Sequence, residues 1–123
     1  MSRLIVVDDS PRARHGQCAF LQIQPGIEVV GEAADGKEAL RLVASVQPDG
    51  VLMDVRMPGM DGLEATRLIK GRWPQVKVIV LSLYAAYQDE ALSQGADAFL
   101  VKGRPVKDLL DILRNLLLLK PCC

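Results

Sequence analysis

The amino-acid sequence predicts an α/β fold with a parallel β-sheet covered by helices on both faces. Five short runs of apolar residues recur along the chain, and each is followed by a segment with helical periodicity. Apolar runs without polar alternation are typical of strands that are buried on both faces, as in parallel sheets. With 123 residues, the chain has the length of one domain.

The first strand and helix have clear signals. The run RLIVV at 3–7 is apolar and rich in β-branched residues, which favours a buried strand. Ser10 and Pro11 then supply an N-cap and a first-turn proline for a helix over 11–24. Pro25 ends that helix, because proline cannot continue it.

The second unit begins with IEVVGEA at 27–33, which predicts strand two. Asp35 and Glu38 have the spacing of a capping box, with the aspartate as the cap. They open a helix that we expect to end at about Val46.

The third unit contains the longest connection. GVLM at 50–53 predicts strand three, and the loop over 54–61 is rich in Met, Pro and Gly. Helix three is expected over 62–73, and Pro74 ends it.

The last two units follow the same pattern. VKVIVL at 76–81 and AFLV at 98–101 predict strands four and five. Helix four is expected over 86–94, with Gly95 as its C-terminal glycine, and helix five over 106–119.

Composition limits the classes of function. The formal net charge is zero without a Lys/Arg block, so the chain has no electrostatic footprint for nucleic acid. No apolar run approaches the ~20 residues of a membrane span, and the N-terminus is unlike a signal peptide. The three cysteines, Cys18, Cys122 and Cys123, have neither a disulfide nor a metal-site spacing. We therefore expect a cytoplasmic protein that does not contact a membrane.

Polar residues follow four of the predicted strands. Asp8 and Asp9 come after strand one, Asp54 after strand three, Ser82 after strand four and Lys102 after strand five. In open parallel sheets, ligands bind at the carboxyl ends of the strands, near the point where strand order reverses. Three acids, a hydroxyl and an amine are therefore expected to meet at one edge of the sheet.

The acid cluster predicts a cation site. Carboxylates packed together repel unless a cation lies among them. Oxygen ligands suit Mg²⁺ better than zinc, and the only histidine, His15, lies in the first predicted helix. One metal ion beside one carboxylate suits phosphoryl transfer to that carboxylate, with an ammonium neutralising the phosphoryl oxygens.

The segments VVDDS, VLMDVRMPGMDG, VLS and GADAFLVKG occur in an order and spacing that resemble the receiver domain of two-component response regulators. The resemblance covers essentially the whole chain. It implies a flavodoxin-like (βα)5 fold with a five-stranded parallel sheet in the order 2-1-3-4-5.

The resemblance also implies roles for the acids. Asp54 is expected to accept the phosphoryl group. Asp9, Asp54 and the backbone carbonyl of Arg56 are expected to bind Mg²⁺ directly, with Asp8 acting through water. Mn²⁺ is expected to substitute for Mg²⁺.

Three further residues have roles in the family. By the resemblance, Lys102 pairs with the phosphoryl group, and Ser82 bonds it and moves on activation. Phe99 matches the aromatic residue that switches with it. The face formed by helix four, strand five and helix five is the expected output surface and a possible homodimer contact.

The segments VVGEAADGKEAL and PGMDGLEATRLIK look most like receivers of the LuxR/NarL type, which control transcription through a DNA-binding output domain. No such domain lies within these residues, so DNA is a partner only through a further domain. We expect a receiver domain over 1–119, with 120–123 as a tail or the start of a connector. The expected phosphodonor is a sensor histidine kinase, and the chain would not be a turnover enzyme.

Three positions depart from the family pattern. The spacing from Ser82 to Lys102 is shorter than in many relatives, so the loop after strand four or helix four itself is trimmed. Leu83 replaces a smaller residue and is expected to narrow access to the phosphoryl group. Gly103 follows the lysine where many relatives have proline.

Other classes of protein fit less well. A flavodoxin that binds FMN needs a Ser/Thr/Gly phosphate loop after strand one, whereas DDSP would repel phosphate. A phosphatase of the haloacid dehalogenase type needs a second Asp where Arg56 stands, and no P-loop is present. The remaining alternative is a receiver that acts without phosphorylation, as an interaction scaffold.

Overall fold

The computed structural model describes residues 1–117 and shows five strands and five α-helices that alternate along the chain. The strands are β1 (Ser2–Val7), β2 (Ile27–Ala33), β3 (Gly50–Asp54), β4 (Lys77–Ser82) and β5 (Ala98–Val101). The helices are α1 (Pro11–Gln22), α2 (Gly36–Val46), α3 (Gly62–Arg72), α4 (Gln88–Ser93) and α5 (Val106–Leu117).

The strands form one parallel sheet in the order β2-β1-β3-β4-β5, which confirms the predicted fold. After β1 the chain moves outward to β2, and it then crosses back to β3 on the other side of β1. The strand order therefore reverses between β1 and β3, and the helices that follow these two strands, α1 and α3, lie on opposite faces of the sheet. Such a reversal leaves a crevice at the carboxyl ends of the two strands.

Each face of the sheet has its own hydrophobic core. Along β1, Ile5 and Val7 belong to a cluster with residues of α2, α3 and α4, whereas Leu4 and Val6 belong to a cluster with residues of α1 and α5. All four side chains are almost fully buried. Burial on both faces explains why β1 is apolar at successive positions.

The predicted N-caps are confirmed. The Ser10 hydroxyl accepts a hydrogen bond from the Ala13 amide at 3.3 Å and caps α1. At the start of α2, the Asp35 carboxylate accepts from the Glu38 amide at 2.8 Å, and the Glu38 carboxylate accepts from the Ala34 amide at 2.7 Å. Both helices thus satisfy amides that lack a partner within the helix.

Helix four differs most from its prediction over 86–94. A 3-10 turn over Ala85–Tyr87 comes first, and α4 itself spans only Gln88–Ser93, without a side-chain N-cap. Gly95 has φ +104° and its amide bonds the Leu92 carbonyl, as expected for a C-terminal glycine. The segment between β4 and β5 therefore contains a short helix after a turn.

Smaller differences occur at other helix ends. Helix α1 ends at Gln22, two residues before its predicted end, where the Gln24 amide bonds the Leu21 carbonyl in a tighter turn. The predicted end of helix five at 118–119 and the tail over 120–123 lie outside the described residues. Within the described part of the chain, every helix is too short or too polar to cross a membrane.

Candidate functional site

The end of β1 places two acids in different environments. Asp8 is buried, with 1% of its surface exposed, and one of its carboxylate oxygens accepts a hydrogen bond from the Ser10 amide at 2.9 Å. Asp9 is exposed at the crevice. A buried acid with fixed partners and an exposed acid beside it can act in different ways toward a cation.

The end of β3 places Asp54 beside them. Its side chain is 12% exposed. The start of α3 packs directly on the Asp54 main chain, because a Cβ built on Gly62 would overlap the Asp54 carbonyl oxygen. The Gly62 amide also donates to the Val55 carbonyl at 2.8 Å. A glycine at this position therefore lets α3 hold the backbone that carries Asp54.

Lys102, at the end of β5, joins two of the acids. Its Nζ lies 2.9 Å from a carboxylate oxygen of Asp8 and 3.1 Å from one of Asp54. The Lys102 amide donates to the Ser82 carbonyl at 2.7 Å, which ties the end of β5 to that of β4. The sheet thus brings together residues that are up to 94 positions apart in sequence.

Burial and charge act against each other at this cluster. Burial raises the pKa of Asp54 above its ordinary value, and Asp8 adds to that rise, while Lys102 opposes it. Burial lowers the pKa of Lys102, but its hydrogen bonds to Asp8 and Asp54 raise the pKa overall. The ammonium therefore stays charged near neutral pH and compensates the buried acids.

A cavity of about 290 Å³ lies at this cluster, and Ser82 lines it together with Asp54 and Lys102. The serine is 2% exposed, and its hydroxyl oxygen accepts a hydrogen bond from the Tyr84 amide at 3.0 Å. That contact uses the oxygen as an acceptor and leaves the hydroxyl proton available to a ligand in the cavity.

Arg56 and Tyr84 meet at the rim of the cavity. The guanidinium carbon of Arg56 lies 5.5 Å from the centre of the Tyr84 ring, within the range of a cation–π contact. Leu83 also lines the cavity but is 67% exposed, so it forms part of the rim. Leu83 thus lies at the entrance beside the Arg56–Tyr84 contact, and its effect on access to the cavity stays a prediction.

The acid cluster fits the chemistry of a hard divalent cation. One carboxylate oxygen from each of Asp8, Asp9 and Asp54 lies within 4.8 Å of those of the other two. A set of oxygen donors that is open to solvent on one side suits Mg²⁺, which keeps several waters. Arg56 also lines this cavity, and the predicted role of its backbone carbonyl stays a prediction.

Phe99 lies apart from the acids. It pairs with Val80 in the sheet and is half-buried against the cluster that packs on α2, α3 and α4. It also borders a shallow pocket between α4 and α5. The sheet therefore brings the five polar residues together and places Phe99 on the face that is expected to transmit the signal.

Sequence reasoning missed two polar residues of α1 that support the cluster. Arg14 donates to the Asp8 main-chain carbonyl at 2.6 Å, and Gln17 lies 3.4 Å from the Asp8 carboxylate. Both share the inward stripe of α1 with the buried Cys18 and Leu21, at spacings of three and four residues. Polar side chains on such a stripe are the signal that could have identified them.

Comparisons with known proteins agree with this geometry. The family model of the response regulator receiver domain matches residues 4–114. The response regulator protein VraR of Staphylococcus aureus is 40% identical over 115 residues, which are 92% of this chain and 55% of that protein. The chain thus spans about half the length of this curated relative.

Two solved structures are also similar. A LuxR-family two-component response regulator from Aurantimonas sp. has a TM-score of 0.91 at 32% identity, covering 96% of this chain and 86% of that one. The response regulator TrrA from Thermotoga maritima, solved in complex with Mg²⁺ and BeF, has a TM-score of 0.87 at 34% identity, covering 94% and 99%. By its sequence and its fold, this chain belongs to the family of response regulator receiver domains.

Proposed function

We propose that this receiver accepts a phosphoryl group on Asp54 from a phosphohistidine of a sensor histidine kinase. The observation that supports the proposal most is the position of the Asp54 carboxylate, which lies at the end of β3, 3.1 Å from the Lys102 ammonium and close to Asp8 and Asp9. A carboxylate beside a fixed cation is poised to attack phosphorus while the charge on the phosphoryl oxygens is neutralised.

The acids divide the proposed metal binding among them. Asp9, Asp54 and the backbone carbonyl of Arg56 are the proposed direct ligands of Mg²⁺, and buried Asp8 acts through water. When bound, Mg²⁺ supplies positive charge to the phosphoryl oxygens. Mn²⁺ is expected to substitute because it accepts the same oxygen ligands.

The transfer needs no further co-reactant. A carboxylate oxygen of Asp54 forms a bond to phosphorus, the P–N bond of the phosphohistidine breaks, and the imidazole leaves with the electron pair and takes up a proton. Lys102 holds the phosphoryl oxygens through Nζ. Attack by water later returns the carboxylate and inorganic phosphate. The chain thus assists only its own phosphorylation and dephosphorylation.

Ser82 is proposed to start the response. Its hydroxyl proton can be donated to a phosphoryl oxygen, and an inward shift of Ser82 opens space into which Phe99 can turn. One charge-assisted hydrogen bond supplies on the order of 1.5–3 kcal/mol, or roughly 10- to 100-fold in population. The output face formed by α4, β5 and α5 then becomes available for a homodimer, and an output domain outside these residues would act on DNA in the cytoplasm.

The test is the intact mass of the protein after incubation with Mg²⁺ and a small acyl phosphate donor. We expect wild type to gain one base-labile phosphoryl group and Asp54→Asn to gain none. Equal labelling of the two proteins would refute the assignment of Asp54. A wild-type protein that gains no mass under these conditions would favour the alternative, an interaction scaffold that acts without phosphorylation.

A further inference from the structure

Arg14 makes two hydrogen bonds that link three elements. Its Nη1 donates to the main-chain carbonyl of Asp8 at 2.6 Å, and its Nε donates to the carboxylate of Glu32 at 3.1 Å. The Arg14 side chain is 19% exposed, whereas Glu32 is 51% exposed. Helix α1 is thereby joined both to the end of β1 and to β2.

Every polar atom of Asp8 has a partner. Its amide donates to the Ala33 carbonyl at 3.0 Å, and its carboxylate accepts from Ser10 and Lys102. Its carbonyl accepts from Arg14. That carbonyl belongs to the peptide group between Asp8 and Asp9, so the bond from Arg14 fixes the plane of this peptide.

The direction of the Asp9 side chain depends on that peptide more than the direction of the Asp8 side chain does. Among residues 1–117, no protein group donates a hydrogen bond to the Asp9 carboxylate, and the residue is exposed. The direction of its side chain is therefore set by the backbone to which it is attached. A rotation of the Asp8–Asp9 peptide would move the Asp9 carboxylate out of the acid cluster, in which one of its oxygens now lies within 4.8 Å of one oxygen each of Asp8 and Asp54.

We propose that Arg14 is a positioning residue for divalent cation binding, acting through the Asp8 carbonyl on the direction of Asp9. The inference rests on the proposed function, since it assumes that the acid cluster binds Mg²⁺. Arg14 is not itself a ligand, because a guanidinium has no acceptor atom for a cation. Its positive charge is paired with Glu32, which limits its direct electrostatic effect on the cluster.

Glu32 offers a matched control. Arg14→Ala and Glu32→Ala both remove the ion pair between α1 and β2, but only Arg14→Ala removes the bond to the Asp8 carbonyl. A purely structural role of Arg14 predicts the same outcome for the two variants. A positioning role predicts a loss of metal affinity in Arg14→Ala alone.

The experiment is a titration of each ¹⁵N-labelled protein with MgCl₂ at fixed ionic strength, followed by amide shifts of the residues around Asp9 and Asp54. Partners of metal ligands typically contribute 10- to 100-fold to affinity, so we expect Arg14→Ala to bind Mg²⁺ roughly 10-fold more weakly or worse. Glu32→Ala should stay close to wild type. The same spectra show whether each variant is folded.

Arg14→Lys covers the case in which the alanine variant does not fold. A single ammonium can reach either the carbonyl or Glu32 but lacks the planar fork that serves both, so its affinity should lie below that of wild type. Equal affinity of Arg14→Ala, or of a folded Arg14→Lys, and Glu32→Ala would overturn the inference and leave the proposed function intact. A wild-type protein without Mg²⁺ binding would instead overturn both.

Discussion

Asp54 combines a buried position with the role proposed for it, and its charge is costly in the absence of a metal ion. Burial, with a contribution from Asp8, raises its pKa above the ordinary value, and Lys102 compensates only in part. Folding therefore favours the protonated carboxyl. The same cost makes this carboxylate receptive to a cation or to conversion into an acyl phosphate.

The stability of Asp54→Asn tests this cost. Because the folded-state pKa is raised, Asp54 lowers wild-type stability as pH rises from below the ordinary aspartate value of about 3.9 through the raised pKa. We expect Asp54→Asn, in metal-free buffer, to unfold at a higher urea concentration than wild type at pH 7. The difference should vanish at the acid end of the series. A lower urea midpoint for the variant than for wild type at pH 7 would contradict the conclusion that the buried charge of Asp54 destabilises the metal-free protein.

Lys102 should contribute most to the stability of the fold when no metal ion is present. Lys102→Ala leaves Asp8, which is 1% exposed, without its ammonium partner. An unpaired buried group costs roughly 1–3 kcal/mol, so the metal-free variant should be less stable than wild type by about that amount. Mg²⁺ should stabilise the variant more than it stabilises wild type, because the ion replaces the missing positive charge. Thermal melts with and without MgCl₂ measure both effects, and equal Mg²⁺ shifts would exclude this compensation.

At the scale of single residues, the sequence predicted the site residues that lie at the carboxyl ends of strands. Asp8, Asp9, Asp54, Ser82 and Lys102 meet because parallel strands bring their carboxyl ends to one edge. The contacts of Arg14, and that between Arg56 and Tyr84, were not predicted. They depend on helix rotation and on side-chain conformers in loops, and neither follows from the positions of the strands.

At the scale of elements, helix α3 contains two glycines with opposite requirements. A Cβ on Gly62 would overlap the Asp54 carbonyl oxygen, whereas a Cβ on Gly71 would meet no atom within 4 Å. The first glycine lets α3 approach β3 closely, and the second has no contact that requires it.

Alanine at each position should therefore have opposite effects. We expect Gly62→Ala to lower the free energy of unfolding by about 1–3 kcal/mol or more, because the backbone must shift. Gly71→Ala should raise it by up to about 1 kcal/mol, because alanine is the better helix former. Urea denaturation of the two variants gives both values. If Gly62→Ala were as stable as Gly71→Ala, α3 would not pack on the Asp54 backbone as described.

The segment between β4 and β5 buries few of its side chains. Helix α4 has six residues and lacks a side-chain N-cap, and Leu83, Tyr84 and Leu92 are exposed. The sequence predicted that a helix occurs here but not its short length, because a 3-10 turn and a helical turn have similar periodicity over three residues. This segment carries residues next to Ser82, so a change at the hydroxyl can reach it directly.

Amide hydrogen exchange should show this weakness. Short elements with few buried side chains open at lower free energy than the core. We expect the amides of residues 84–93 to exchange sooner than those of α3, in the absence of Mg²⁺ and of any phosphoryl group. Slower exchange in residues 84–93 than in α3 would show that the segment is held by interactions that its burial does not reveal.

At the scale of the whole molecule, the fold followed from the sequence more completely than the details did. Apolar strands in the middle of the sheet had to be covered on both sides, and the residues that line each face of β1 alternate between two cores. The edge strand β2 is less apolar, with exposed Glu28 and Glu32. The strand order 2-1-3-4-5 rested on the family resemblance, and the structure confirms it. Helix ends were less predictable, because the last turn depends on local hydrogen bonds.

Phosphorylation at Asp54 should change the proposed output face formed by α4, β5 and α5. We expect a beryllofluoride mimic of the phosphoryl group, added with Mg²⁺, to change hydrogen exchange in residues 84–110 and to favour association in sedimentation experiments. In the proposed output face, Phe99 and Ile112 line the pocket between α4 and α5 and would contribute apolar area to the contact. Changes confined to the loops that carry Asp8, Asp9 and Asp54 would show that the signal leaves by another surface.

The most direct test of the central claim is chemical trapping of the acyl phosphate. Borohydride reduces an aspartyl phosphate to homoserine, which tandem mass spectrometry places at one position of the chain. After incubation with Mg²⁺ and a small acyl phosphate donor, we expect homoserine at position 54, and none there when the donor or Mg²⁺ is omitted. Homoserine at position 8 or 9, or a phosphorylated protein with unmodified Asp54, would contradict the claim that this carboxylate receives the phosphoryl group.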